Sequence, residues 1–168
     1  MLVGRTVLRD VVSTIESCTT SASGHGYRFT DDHFLLIVER GCFGLAFDGK
    51  VYFIKYGEMV LVSRGVYIEY WNATSQSHQP LEYKAFHLKE NILREFSILS
   101  KMEFNTHDIL PAVTVEEINE YLVKYLGSLE IYFNERRDIG SGLVKLKLLE
   151  LLFNLCHKNK NVVGILLS

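Results

Sequence analysis

From Tyr27 to about Leu88, apolar and polar residues alternate with a period near two, interrupted at short intervals by glycine-bearing turns. Such alternation marks strands with one face buried. "HFLLIVERG" reads as a largely apolar strand closed by Gly41. "CFGLAF" and "KVYFIKYG" are two strands joined by Asp48-Gly49, whose tolerance of positive φ suits a tight hairpin. "EMVLVSRG" and "VYIEYW" follow, then the polar loop "NATSQSHQP" and a last strand, "LEYKAFHL". Short strands punctuated this regularly predict a barrel or sandwich. Residues 1–26 are less patterned: "VLRDVV" suits a first strand, whereas "STIESCTTSASGHG" reads as a loop or arm rich in Ser, Thr and Gly.

After Leu88 the period becomes helical. "ENILREFSILSKM" sets Ile92, Phe96 and Leu99 on one stripe, with Leu93 beside them. "TVEEINEYLVKYLGSLEIYF" predicts a helix opening on Thr114 and Glu117, the spacing of a capping box. "NERRDIGSG" breaks the chain, and "LVKLKLLELLFNLCHK" forms another helix. The expected fold is therefore α+β: a β-barrel over residues 1–89, then a helical layer over 90–168.

The final long helix is apolar around most of its circumference, where a helix with one neighbour needs an apolar face only about 100° wide. Lys147, Glu150, Asn154 and Lys158 share one stripe, flanked by Leu143 and Leu151. Either the helix is wrapped by its own domain, or its Leu143–Lys147–Glu150–Leu151–Asn154 side meets a second copy, as paired helices commonly do in dimers. The closing segment "NVVGILLS" is apolar to its end, which suggests that the natural protein continues past Ser168.

Composition narrows the function classes. The 168 residues, 48% hydrophobic and 12% aromatic, suffice for a packed core. A net charge of −2, with basic residues scattered among acidic ones, leaves no footprint for direct DNA binding. Cys18, Cys42 and Cys156 are widely spaced without a CxxC pair, which fits a reducing cytoplasm. No signal segment and no membrane-spanning apolar run stands out.

Candidate chemistry is sparse. The turn-and-strand cadence of "YGEMVLVSRGVYIEY" is similar to the second motif of the cupin superfamily, a double-stranded β-helix or jelly-roll barrel. Gly57 and Gly65 match that motif's glycines, but Ser63 stands where proline is usual and Ile68 where a metal-binding histidine is usual. His25 and His33 fall out of register with the first motif, so no metal, cofactor or catalytic residue is expected. There is no GxSxG, GxGxxG or Walker-type loop, and Cys156 and His157 are adjacent on a helix, where they point apart. His78 and His107 are loop residues. His87, on the last strand, is either a satisfied core or edge histidine, the commoner case, or a residue that faces the barrel to contact a ligand. Tyr52, Tyr67, Tyr70 and Trp71 either pack the barrel or form, with His87, a surface for an effector or partner.

A ligand-less barrel followed by amphipathic helices resembles the N-terminal regulatory domain of AraC-family transcription factors. The stretches that carry this are "HFLLIVERGCFGLAFDGKVYFIKYGEMVLVSRGVYIEY", "YKAFHLKENILREF" and "LKLLELLFNLC". "GEMVLVSRGVYI" and "LKLLELLF" are most similar to the members that activate type III secretion and other virulence genes. The resemblance implies a non-enzymatic module that senses an effector and forms a homodimer. The effector is a small molecule or a regulatory anti-activator protein, and promoter DNA is contacted only through a C-terminal helix-turn-helix domain absent from this sequence. The bulky residues expected inside (Phe43, Phe47, Phe53, Ile54, Phe86) favour a filled barrel and a protein signal. The alternative is a stand-alone cupin-like enzyme or small-molecule-binding protein.

Overall fold

The computed structural model of the chain describes residues 3–9, 14–21, 24–74, 79–102, 111–134 and 142–167. His78, His107 and most of the break at "NERRDIGSG" lie outside the described residues. The strands are β1 (Val3–Arg9), β2 (Thr14–Thr20), β3 (Gly26–Phe29), β4 (His33–Arg40), β5 (Cys42–Phe47), β6 (Lys50–Lys55), β7 (Glu58–Val62), β8 (Tyr67–Asn72), β9 (Leu81–Leu88) and β10 (Val113–Glu117). The helices are α1 (Glu90–Ser100), α2 (Glu120–Asn134), α3 (Leu143–Lys158) and α4 (Lys160–Leu167). Two antiparallel sheets face each other as a jelly roll, one ordered β1-β2-β9-β4-β7-β10 and the other β3-β8-β5-β6.

Alternation along each strand of the larger sheet sorts the core into two clusters. Phe34, Leu36 and Val38 of β4 point into the barrel with Val60 and Val62 of β7, where they meet Phe43, Leu45, Ile54 and Ile68 of the smaller sheet. Leu35 and Ile37, with Met59, Leu61, Phe86 and Leu88, point to the opposite face and pack under the helices. Covering both faces explains why "HFLLIV" is an unbroken apolar run in an antiparallel sheet. One cross-strand row, Leu8–Ile15–Phe86–Leu35–Leu61, floors the helical layer. The Asp48-Gly49 hairpin has positive φ at both residues, 49° and 74°, as a type I′ turn requires.

The structure departs from the sequence reading in five places. Residues 14–20, read as a loop, form β2 between β1 and β9, because Ile15 buries against Phe86 and the Thr, Ser and Cys side chains are small enough for a pleated surface. Residues 113–117, read as the start of a helix, form β10 and pair with β7, so the part after residue 89 returns a strand to the barrel's sheet. The cap of α2 is Asn119, whose Oδ1 accepts from the Leu122 N–H at 3.0 Å, not the Thr114–Glu117 box. Phe53 is 53% exposed on the outer face of β6, and Phe86 lies on the helix side of β9, so neither fills the barrel. On α1 the buried residues are Ile92, Leu93 and Phe96, and Leu99 faces outward.

Candidate functional site at the barrel mouth and on helix α3

With Phe53 and Phe86 pointing elsewhere, the barrel retains space. A cavity of about 260 Å³ opens between the sheets, lined on its apolar side by Phe34, Leu36, Phe43, Ile68 and Ala85. A second, of about 230 Å³, adjoins it and shares Arg5, Cys18, Phe43, Tyr70 and Tyr83. Burial pushes the Cys18 thiol and the Tyr83 phenol up from their ordinary values, so both stay protonated near neutrality.

A polar string closes the mouth, using β1, β2, β9 and β3. Arg5 donates to the Glu16 carboxylate. His87 Nε2 lies 3.4 Å from Glu16 Oε1, outside hydrogen-bonding alignment. Arg28 Nη2 is 3.4 Å from His87 Nδ1, and its guanidinium stands 5.5 Å over the Phe34 ring. The His87 imidazole, and after it the Arg5 guanidinium, hold the Glu16 carboxyl down at about 2 against the opposing effect of burial.

The five aromatic and histidine candidates separate onto two surfaces. Tyr70 lines the cavity, His87 stands beside it against Arg28 and Glu16, and Tyr52 packs partly buried against the barrel core. Tyr67 and Trp71 lie outside, on the open face of the smaller sheet. There Tyr67 stacks on Tyr27 at 6.2 Å, and Trp71 meets Phe53 edge-on at 6.4 Å. Trp71 lies so close over Gly44 that a Cβ there would fall 2.3 Å from its ring. His25 pairs with Glu69 on that face, whereas His33 is buried and accepts from the Arg64 N–H at 3.2 Å. Among the described residues, no three His, Cys, Asp or Glu side chains converge as a metal ion would need.

On α3 the candidate dimer residues are not one open stripe. Leu151 is fully buried, within the core cluster that α3 shares with α1, α2, α4 and the sheet. Lys147 is folded down: its Nζ donates to Ser128 Oγ at 3.1 Å and to Glu150 at 3.0 Å, and stands 5.8 Å from both the Tyr125 and Tyr132 rings. Tyr125, whose phenol is raised by burial, donates to the Lys147 carbonyl at 2.6 Å. Leu143 and Asn154 are half-buried and Glu150 is exposed. The apolar residues that reach solvent are Leu146, 59% exposed, and Phe153, 45% exposed, with Glu150 between them.

The sequence reading missed Arg5, Glu16 and Arg28. Arg28 was detectable: in "YRF" the two rings lie on the outer face, so period two turns the arginine to the rim of the cavity, where it stays exposed. Arg5 and Glu16 had no such signal, because their strands were not recognised as a pair.

A family model described as the ExsA N-terminal regulatory domain matches residues 33–165. No curated protein matches the sequence. Among solved structures, an apo variant of ToxT from Vibrio cholerae aligns with a TM-score of 0.64 at 11% identity, over 89% of this chain and 57% of that one. ToxT bound to an unsaturated fatty acid aligns at 0.57 and 10% identity, over 89% and 56%. This chain therefore spans a little over half the length of those proteins, and at such identity the likeness is one of fold. No helix among the described residues is long and apolar enough to cross a membrane.

Proposed function

The chain belongs to the family of the ExsA N-terminal regulatory domain, and from that premise we propose that it is the effector-sensing, self-associating half of an AraC-type activator of virulence or type III secretion genes. It works in the cytoplasm without catalysing a reaction, and promoter DNA is contacted by a separate helix-turn-helix domain. The observation that carries this reading is the shared sheet. One face of β9 borders a hollow barrel through Tyr83 and Ala85, and the other supports the helices through Phe86 and Leu88. An effector in or on the barrel thus has a short mechanical route to the helical layer, and acts by shifting a population of arrangements. The effector is a small molecule or a regulatory protein.

Self-association is assigned to α3, with Leu146, Glu150 and Phe153 as the contacting stripe beside Lys147. Leu143 and Asn154 lie at its margins. Leu151 supports the helix from within. A direct test fuses this chain to a DNA-binding domain that occupies its operator only as a dimer. The fusion should occupy the operator, and Leu146→Glu together with Phe153→Glu should abolish occupancy while the thermal unfolding profile is kept. A fusion that never occupies the operator while folded would overturn the reading.

A further inference from the structure

We propose that the open face of the smaller sheet is a two-fold interface between copies of this chain, separate from the α3 stripe. Register builds the face row by row. Phe29 pairs with Tyr67, then Tyr27, Glu69, Ala46 and Val51 line up across the four strands, and Trp71, Gly44 and Phe53 form the next row. Tyr27, Phe29, Val51, Phe53 and Tyr67 are each more than half exposed. Outward positions of a sandwich are normally polar, whereas the one carboxylate in these rows, Glu69, is taken by His25. At about 150–250 Å² per aromatic side chain, four half-exposed rings present roughly 400 Å². With Val51 and Trp71 the patch reaches roughly 500 Å², near the upper end of what a monomer leaves bare. It supplies the aromatic centre of the about 800 Å² per partner that a stable pair buries.

Charge selects a second copy as the occupant. The outer strands β3 and β6 run antiparallel, through β8 and β5 between them. Exposed Asp31, just past the end of β3, and exposed Lys55, the last residue of β6, therefore stand at diagonally opposite corners of the face. A two-fold axis along the other diagonal sets each Asp31 against Lys55 of the second copy, so the face is complementary to itself. The inference goes beyond the regulatory reading, because the helices cover the far side of the larger sheet. Copies joined through their smaller sheets carry their α3 stripes at opposite ends. The contact links α3 dimers to one another and leaves occupancy of a single operator to α3.

The test first removes the α3 stripe. In Leu146→Glu with Phe153→Glu, sedimentation velocity across the micromolar range should still show a monomer–dimer equilibrium. Adding Phe29→Ser and Phe53→Ser, both on the outer face, should leave a monomer with an unchanged thermal unfolding profile. Asp31→Lys, in an exposed turn, should weaken pairing about fivefold, since two exposed charge pairs become repulsive. Asp31→Lys with Lys55→Asp should restore it. A stripe variant that stays monomeric throughout, pairing that survives the two serines, or a charge swap that fails to restore affinity would each overturn the interface. The protein carrying only the two serines separates this inference from the α3 assignment. A dimer there, beside a wild-type protein that forms species larger than a dimer, supports both contacts. A monomer there, beside a stripe variant that pairs, counts against α3 and leaves the sheet interface in place.

Discussion

Lys84 is the most deeply buried charge among the described residues, and its removal has a calculable consequence. Its side chain, 2% exposed, leaves β9 on the helix side and donates to Glu39 at 2.7 and 2.9 Å and to Glu130 of α2 at 2.8 Å. The ammonium also stands 5.3 Å from the Phe133 ring. Glu39 is the extra residue where the β4–β9 register shifts between Val38 and Arg40, so a local irregularity of the sheet aims a carboxylate at this lysine. Lys84→Met keeps most of the stem and deletes the cation, leaving two carboxylates with no counter-charge. Removing one partner of a buried ion pair costs about 3–5 kcal/mol. Glu130 is half exposed and Glu39 26% exposed, so water relieves part of that, and we expect the low end, about 3 kcal/mol. For a chain of this size that lowers the melting temperature by roughly 6–12 °C. The assay is urea unfolding at constant pH, with the midpoint read at unchanged m-value. If stranded charge is the cause, Lys84→Met with Glu39→Gln and Glu130→Gln should recover most of the loss, since a charge-free replacement of a buried ionic cluster is often neutral or better. A triple variant no more stable than Lys84→Met would refute the reasoning.

Other outcomes follow from the same geometry. Leu151→Glu places a carboxylate at a fully buried position of the helical core and should unfold the protein, visible as loss of helical circular dichroism, not release a folded monomer. The folded-state pKa of Glu16 is depressed to about 2 from 4.5, so its stabilisation is complete above pH 4.5 and is lost as pH falls through about 2; Glu16→Gln should flatten the acid limb of stability in that window. Gly44→Ala puts a methyl group 2.3 Å from the Trp71 ring and should displace it, shifting the emission of the chain's one tryptophan.

Much of the barrel was legible because its strands follow one rule, period two between glycine turns, from "HFLLIVER" through "LEYKAFHL". The strands that escaped were β2 and β10. In β2 only Ile15 is fully buried, so the segment lacks the apolar alternation that identifies a half-buried strand. In β10 the run "TVEE" satisfies a capping-box pattern, and pairing with β7 overrides that local preference. The α3 stripe failed for a different reason. Angular position shows which residues share a face and does not show which faces the fold covers. Lys147 and Leu151 share a side, yet Leu151 is sealed by neighbouring elements while Lys147 escapes only by folding onto Tyr125 and Tyr132.

The same distinction governs the barrel's interior. The sequence-based expectation of a filled barrel counted Phe53 and Phe86 as inward, and a one-residue shift of parity sends each to another surface. Removing two phenylalanines from the inside leaves space that the remaining residues do not close, and the chain lines that space with Arg5, Glu16 and Arg28. Register, more than composition, therefore decides whether a barrel packs solid or keeps a cavity, and in this chain it keeps one.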